Sequence, residues 1–237
     1  QSNPLQPDVR YRGFVASPLL GLPQGIAVYQ DGVRINEPFG DTVNWALLPT
    51  MAIDSVYLVP GSNPLFGLNS LGGALSVRTK SGASNPGARV SALLGSHSRS
   101  EISAETGGLV RDRTGYYFAG TYLEEDGWRD FSPSRSWSIF GKLSHETAVG
   151  TVDLSLTSVE TNLIGNGAAP IQLLSERSTA IFTRPDQTLN DLDQIVLELS
   201  RNFANEISFS GSAYFRRSDI ETLNGDDSDF AKCEEDP

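Results

Sequence analysis

Two histidines, one cysteine and one methionine occur in 237 residues, and eighteen basic residues stand against twenty-nine acidic ones. Each scarcity closes off a class of function. His97 and His145 fall near strand ends without a cysteine partner or HxxxH spacing, so no zinc site is expected. A net charge of −11 leaves no basic patch to displace counterions, which argues against nucleic acid. No GxSxG, P-loop or helix-opening GxGxxG is present, so hydrolase and nucleotide chemistry lack a motif. Nor does any apolar run approach the length of a membrane helix. Alternating membrane strands leave no hydropathy peak, so a β-barrel stays open. Gln1 is followed by no basic n-region or apolar h-region, so an exported protein of this sequence would have lost its leader.

The single cysteine, Cys233, sits among Asp226, Asp227, Asp229, Glu234 and Glu235. A lone thiol is usually inert, and that is the plainer reading; in an oxidising compartment an unpaired one there points instead to a disulfide partner beyond the end of the chain. The acidic stretches Glu124-Glu125-Asp126 and Asp226-Asp227 read as solvated loop, with weak calcium binding as the alternative.

What the chain does have is glycine punctuation early and period-two alternation late. IAVYQDGVRI sets two apolar runs about Asp31-Gly32, the strongest short-range hairpin signal. Ile53, Val56, Leu58 and Val59 form a near-continuous apolar strand, the pattern of burial on both faces. Gly72-Gly73 permits close backbone approach just before the strand Ala74–Thr79.

From residue 88 onward seven alternating segments follow. Val90, Ala92 and Leu94 oppose Arg89 and Ser91, and Ile102 and Ala104 oppose Glu101, Ser103 and Glu105. Tyr116–Leu123 is aromatic on both faces. Trp137, Ile139, Gly141 and Leu143 oppose Ser138, Phe140, Lys142 and Ser144. Val152, Leu154 and Leu156, then Ile195, Leu197 and Leu199, then Ile207, Phe209 and Phe215 continue the pattern. Strands of about eight to eleven residues suit a tilted bilayer crossing, with lipid outside and a wet lumen inside. A soluble sandwich would alternate too, with strands nearer five or six residues.

Connection lengths add direction. Gly95–Ser98, Gly107–Thr114, Glu146–Gly150 and Asn202–Asn205 read as short turns. Glu124–Ser136, Thr161–Asn190 and everything from Asp219 onward read as long polar loops, as on the outer side of a barrel. Tyr116, Tyr117, Trp128 and Trp137 suit an interfacial aromatic girdle.

The early segment resembles the plug of TonB-dependent outer-membrane receptors. Those plugs end in Leu-Tyr-Gly, then Gly-Gly, a strand and Thr-Lys; here the order is Leu65-Phe66-Gly67, Gly72-Gly73, Ala74–Val77 and Thr79-Lys80. The resemblance implies a mostly β chain: residues 1–82 as the C-terminal part of a small α+β plug, and residues 83–237 as the first strands of an incomplete barrel. A barrel of about twenty-two strands is implied by the family. It further implies a Gram-negative outer-membrane receptor, not an enzyme, that imports a scarce large ligand such as a ferric siderophore by energy-coupled plug movement. No cofactor is implied. The partners implied are the energy-transducing protein TonB, whose contact segment lies before Gln1, together with outer-membrane lipid and a metal chelate. In the family, loops after the hairpin touch ligand, which carries Arg12, Asn36, Glu37 and Phe39 over as ligand-binding residues. Packing of Phe39 and Trp45 in the plug core is the plainer reading of the same stretch. One departure stands out. Many members carry Arg-Gly-Pro where this chain has Val59-Pro60-Gly61-Ser62, so the arginine that anchors plug to barrel wall is missing. Two other functions fit less of the pattern: a barrel enzyme with loop catalysis, and a carbohydrate-binding β protein stacking sugars on Trp128 and Trp137.

Overall fold

The computed structural model describes Asn3 and residues 5–165, 167–203 and 207–225. Cys233 and the acidic stretch around it lie outside the described residues. The chain opens with a two-stranded ribbon, β1 (Val9–Tyr11) and β2 (Phe14–Ala16), turned by Arg12 and Gly13. A four-stranded sheet follows, built from β3 (Ile26–Gln30), β4 (Val33–Arg34), β5 (Ile53–Pro60) and β6 (Gly73–Thr79) in the order β4-β3-β6-β5. The β3–β4 turn is the expected one. Asp31 at φ 46 and Gly32 at φ 77 both occupy the left-handed region that a primed hairpin requires. β3 and β6 pair in parallel, Ile26 beside Gly73, and their inward side chains Ile26, Val28, Leu75 and Val77 meet Ala16, Ile35, Val43 and Leu48 in one core.

Gly73 has a specific reason to be glycine. Its φ is 136, and a Cβ there would stand 2.3 Å from the Val59 carbonyl oxygen. β5 corrects the sequence reading. It is an edge strand rather than a strand buried on both faces, and Val56, Tyr57, Leu58 and Val59 are all exposed. An apolar run reports low polarity, not which side of a sheet has a neighbour.

The second sheet is an antiparallel meander of seven strands: β7 (Gly87–Leu94), β8 (Ser100–Arg111), β9 (Thr114–Glu125), β10 (Ser134–Thr147), β11 (Gly150–Ile164), β12 (Asp186–Asn202) and β13 (Ser208–Asn224). β7 and β13 do not pair, so the barrel is unclosed. The alternation of the sequence becomes two unlike faces. Ile139 is 57% exposed on the outer face while its neighbour Phe140 is 0% exposed on the inner one. Leu143, Leu154, Leu156, Ile195, Leu197 and Leu199 share the outer face, and Lys142, Ser155, Thr157, Asn190 and Gln194 are buried on the inner. A water-soluble protein hides its apolar face; here the apolar face is the open one, as lipid contact requires.

Strand ends differ from expectation. The later strands reach 14, 15, 17 and 17 residues, because backbone pairing continues past the apolar band into polar sequence that carries no lipid-facing pattern. The Gly107–Thr114 turn shrinks to residues 112–113, and Glu146–Gly150 to residues 148–149. Of Thr161–Asn190, residues up to Ile164 and from Asp186 are strand, and the described residues between them include one helical turn, α1 (Ile171–Glu176). Asp219 is not loop but strand, since β13 runs to Asn224. The girdle reading also changes: Tyr117 points inward and is buried, while the Trp137 indole N–H donates to Glu160 Oε2 at 3.0 Å on the outer face.

The small sheet's connections press against the inner face of the large one. Ala52 and Met51 pack on Tyr117, Ala119 and Phe140, and Leu47 packs on Val159 and Leu192.

Candidate functional site: plug apex and wall anchors

After β4 the chain must leave the sheet without orphaning the β3 backbone, and Asn36 does this. Its Oδ1 accepts from the Val28 N–H at 2.7 Å, and its Nδ2 donates to the carbonyls of Ile26 at 3.1 Å and Asp41 at 3.2 Å. The side chain thus acts as a strand extension that shapes the following loop. Glu37 turns toward the wall, where Arg216 of β13 donates to its Oε1 at 2.7 Å. Phe39 stands free at the tip, 77% exposed. Trp45 instead packs against the core, its indole N–H donating to the Ala16 carbonyl at 2.9 Å. The same stretch therefore divides: Trp45 takes the core role and Phe39 does not.

Two other loops join this tip. Asp41 accepts from Arg34 at 2.9 Å and from the Asn69 amide at 2.8 Å, tying the loop to the one that carries exposed Leu65 and Leu68. Tyr29 donates to the Phe66 carbonyl at 2.8 Å and fixes that second loop from below. Gly40, at φ 71, leaves room for Leu20, whose Cδ2 would stand 2.4 Å from a Cβ there. The result is a braced apex with apolar side chains facing outward. Arg12 lies apart in the ribbon turn. Its guanidinium sits 5.2 Å from the Tyr11 ring centroid and lines a pocket of about 310 Å³ with Arg10, Phe14, Leu22 and Pro23. Among the described residues Arg12 makes no hydrogen bond or ion pair to Asn36, Glu37 or Phe39.

Among the described residues three ion pairs join the small sheet and its loops to the large one, two of them with the cation on the large sheet. Lys142 on the wall stands 3.4 Å from Asp31 at the hairpin tip, and Arg216 on the wall holds Glu37. Just past β6 the small sheet supplies the cation: Lys80 pairs with Glu105 of β8 at 2.7 Å, and Tyr117 donates to the same carboxylate at 2.6 Å. None of these partners was read from the sequence. The available signal was a lone lysine or arginine on the inward side of an alternating strand, at Lys142 and Arg216. A second pocket of about 250 Å³ lies between residues 95–99 and 126–132, rimmed by His97, Arg99 and Trp128. Among the described residues no group of three or more His, Cys, Asp or Glu is placed to hold a metal.

Residues 1–74 match the family model for the TonB-dependent Receptor Plug Domain. Solved structures agree on the fold. The ferric-catecholate import receptor Fiu from E. coli K12 in its closed form superposes with a TM-score of 0.72 at 14% identity, over 90% of this chain and 33% of that one. The ferripyoverdine receptor of Pseudomonas aeruginosa gives 0.71 at 13% identity, over 95% and 32%. The alcaligin receptor FauA from Bordetella pertussis gives 0.63 at 14%, over 93% and 35%. No curated protein matches the sequence. This chain spans about a third of the length of those structures. The fold of this chain is thus that of part of those solved structures, with the plug-domain match at its start.

Proposed function

We propose that the chain is part of a TonB-dependent receptor of the Gram-negative outer membrane, which binds a scarce large ligand, a ferric siderophore or similar chelate, and imports it by energy-coupled movement of the plug, with TonB as the partner that supplies the pull. In this reading residues 1–82 form the plug and residues 83–237 the wall. Ligand contacts come from Arg12, Asn36, Glu37 and Phe39 in distinct ways. Phe39 meets the ligand directly, Arg12 offers a cation from the separate ribbon turn, and Asn36 and Glu37 hold the loop in place.

The observation that carries the reading is the braced apex. Free apolar side chains on loops held by Arg34, Asp41 and Asn69 suit a preorganised surface for a bulky, partly apolar ligand. Fiu and the ferripyoverdine receptor, by their descriptions, handle iron chelates. The test is growth of a receptor-deleted Gram-negative strain, complemented with the complete receptor, on a panel of ferric chelates as sole iron source. One chelate should support growth, and a TonB-disrupted strain should lose it. Growth on none of the panel, or growth indifferent to TonB, would count against the proposal.

A further inference from the structure

We propose that Lys142 is passed from one carboxylate to another when the plug moves, with Glu198 as the receiving group. In the seated state Lys142 Nζ lies 3.4 Å from Asp31 Oδ2 on the plug and 3.9 Å from Glu198 Oε2 on β12. It also donates to Thr79 Oγ1 at 3.1 Å. Glu198 reaches over the hairpin tip, so that a Cβ at Gly32 would come within 3.8 Å of its Oε1. One ammonium is therefore flanked by two carboxylates, one carried by the plug and one by the wall. Asp153 on β11 and Arg78 on β6 are the other charges near Glu198.

Parting a buried ion pair is costly because it strands a charge without a counter-ion. Here the lysine keeps a counter-ion, and the departing carboxylate keeps hydrogen bonds. Lys142 has only to close the remaining gap to Glu198, on its own wall. Asp31 leaves with the Thr79 N–H, at 3.0 Å, and the Thr79 hydroxyl, both of which belong to the plug. In the seated state, moreover, Glu198 repels Asp31 across the cation they share. The wall carboxylate thus favours departure on two counts, as a positioning residue for the lysine. The inference rests on the plug-movement reading above.

A signed prediction separates it from an ordinary structural acid. Removing the charge of Glu198 tightens the plug, whereas removing the charge of Asp31 loosens it. The experiment uses the complete receptor in detergent, in a Cys233→Ser background, with Ala52→Cys as the reporter buried against Tyr117, Ala119 and Phe140. Folding of each variant is verified by heat-modifiable electrophoretic mobility. The labelling rate of the reporter thiol measures the population of opened plug. Glu198→Gln should slow labelling about tenfold and Asp31→Asn should speed it about tenfold. Labelling of Glu198→Gln at or above the parent rate would overturn the hand-off and leave plug movement standing. A parent protein that labels only after denaturation would overturn the hand-off, which needs an opened plug populated without the pull; energy-coupled plug movement is judged separately, by the TonB-dependent growth above.

Discussion

Replacing Phe39 by alanine separates a ligand contact from a structural one. The side chain is 77% exposed, so about a quarter of its surface is covered by the rest of the plug. Full burial of a phenylalanine side chain stabilises by about 1.5–3 kcal/mol. The covered quarter therefore contributes less than about 0.8 kcal/mol to folding, and the open three-quarters offer a ligand about 1–2 kcal/mol. Affinity for the cognate chelate should then fall about 5- to 30-fold. Plug melting should stay nearly unchanged. Both are read on one preparation, affinity by intrinsic fluorescence titration and melting by circular dichroism. A large loss of melting temperature with affinity intact would show Phe39 to be a packing residue and remove it from the site.

Three further outcomes are expected. Phe140→Ala, at a fully buried position between wall and plug, should destabilise the receptor by about 3–5 kcal/mol in denaturant unfolding, and a change below about 1 kcal/mol would mean that the plug does not seat on β10. Gly73→Ala should cost at least about 1–3 kcal/mol, since its φ of 136 and the Val59 carbonyl both exclude a side chain, and unaltered plug melting would contradict that geometry. Single cysteines at Gln172 and Ala148, in a Cys233→Ser background on intact cells, should label with an impermeant reagent at the first site and not the second; equal labelling would invert or abolish the assigned orientation.

Much of this architecture was legible in the residues, for identifiable reasons. Asp31-Gly32 demanded a primed turn because few residues tolerate two left-handed backbones in succession. The alternation at Ile139 to Leu143 carried the two faces of the wall, because a strand's period of two is geometric. Strand ends were not legible, because the polar residues beyond the apolar band keep the same backbone pairing with no hydropathy to mark it. β5 misled for the reason that apolarity does not say whether a neighbour exists. Tyr117 misled because an aromatic suits both a membrane interface and a buried hydrogen bond to Glu105. At the site, the family resemblance pointed to Phe39, and the residues beside it, Pro38 and Gly40, are those of a stiffened tip. Asn36 as a strand extension was not, nor were the Asp31–Lys142 and Glu37–Arg216 anchors. The anchor residues are more than a hundred positions apart, and composition does not pair charges at that distance.

The most direct test of the seven-stranded sheet as a membrane wall is a spin-label scan along β10, from Ser138 to Leu143, in the complete receptor in bilayers. Collision with oxygen, which concentrates in lipid, should peak at Ile139, Gly141 and Leu143 and fall at Ser138, Phe140 and Lys142, where the plug or lumen lies. The opposite phase, or equal collision with oxygen and with a water-soluble nickel complex at every position, would contradict a lipid-facing wall.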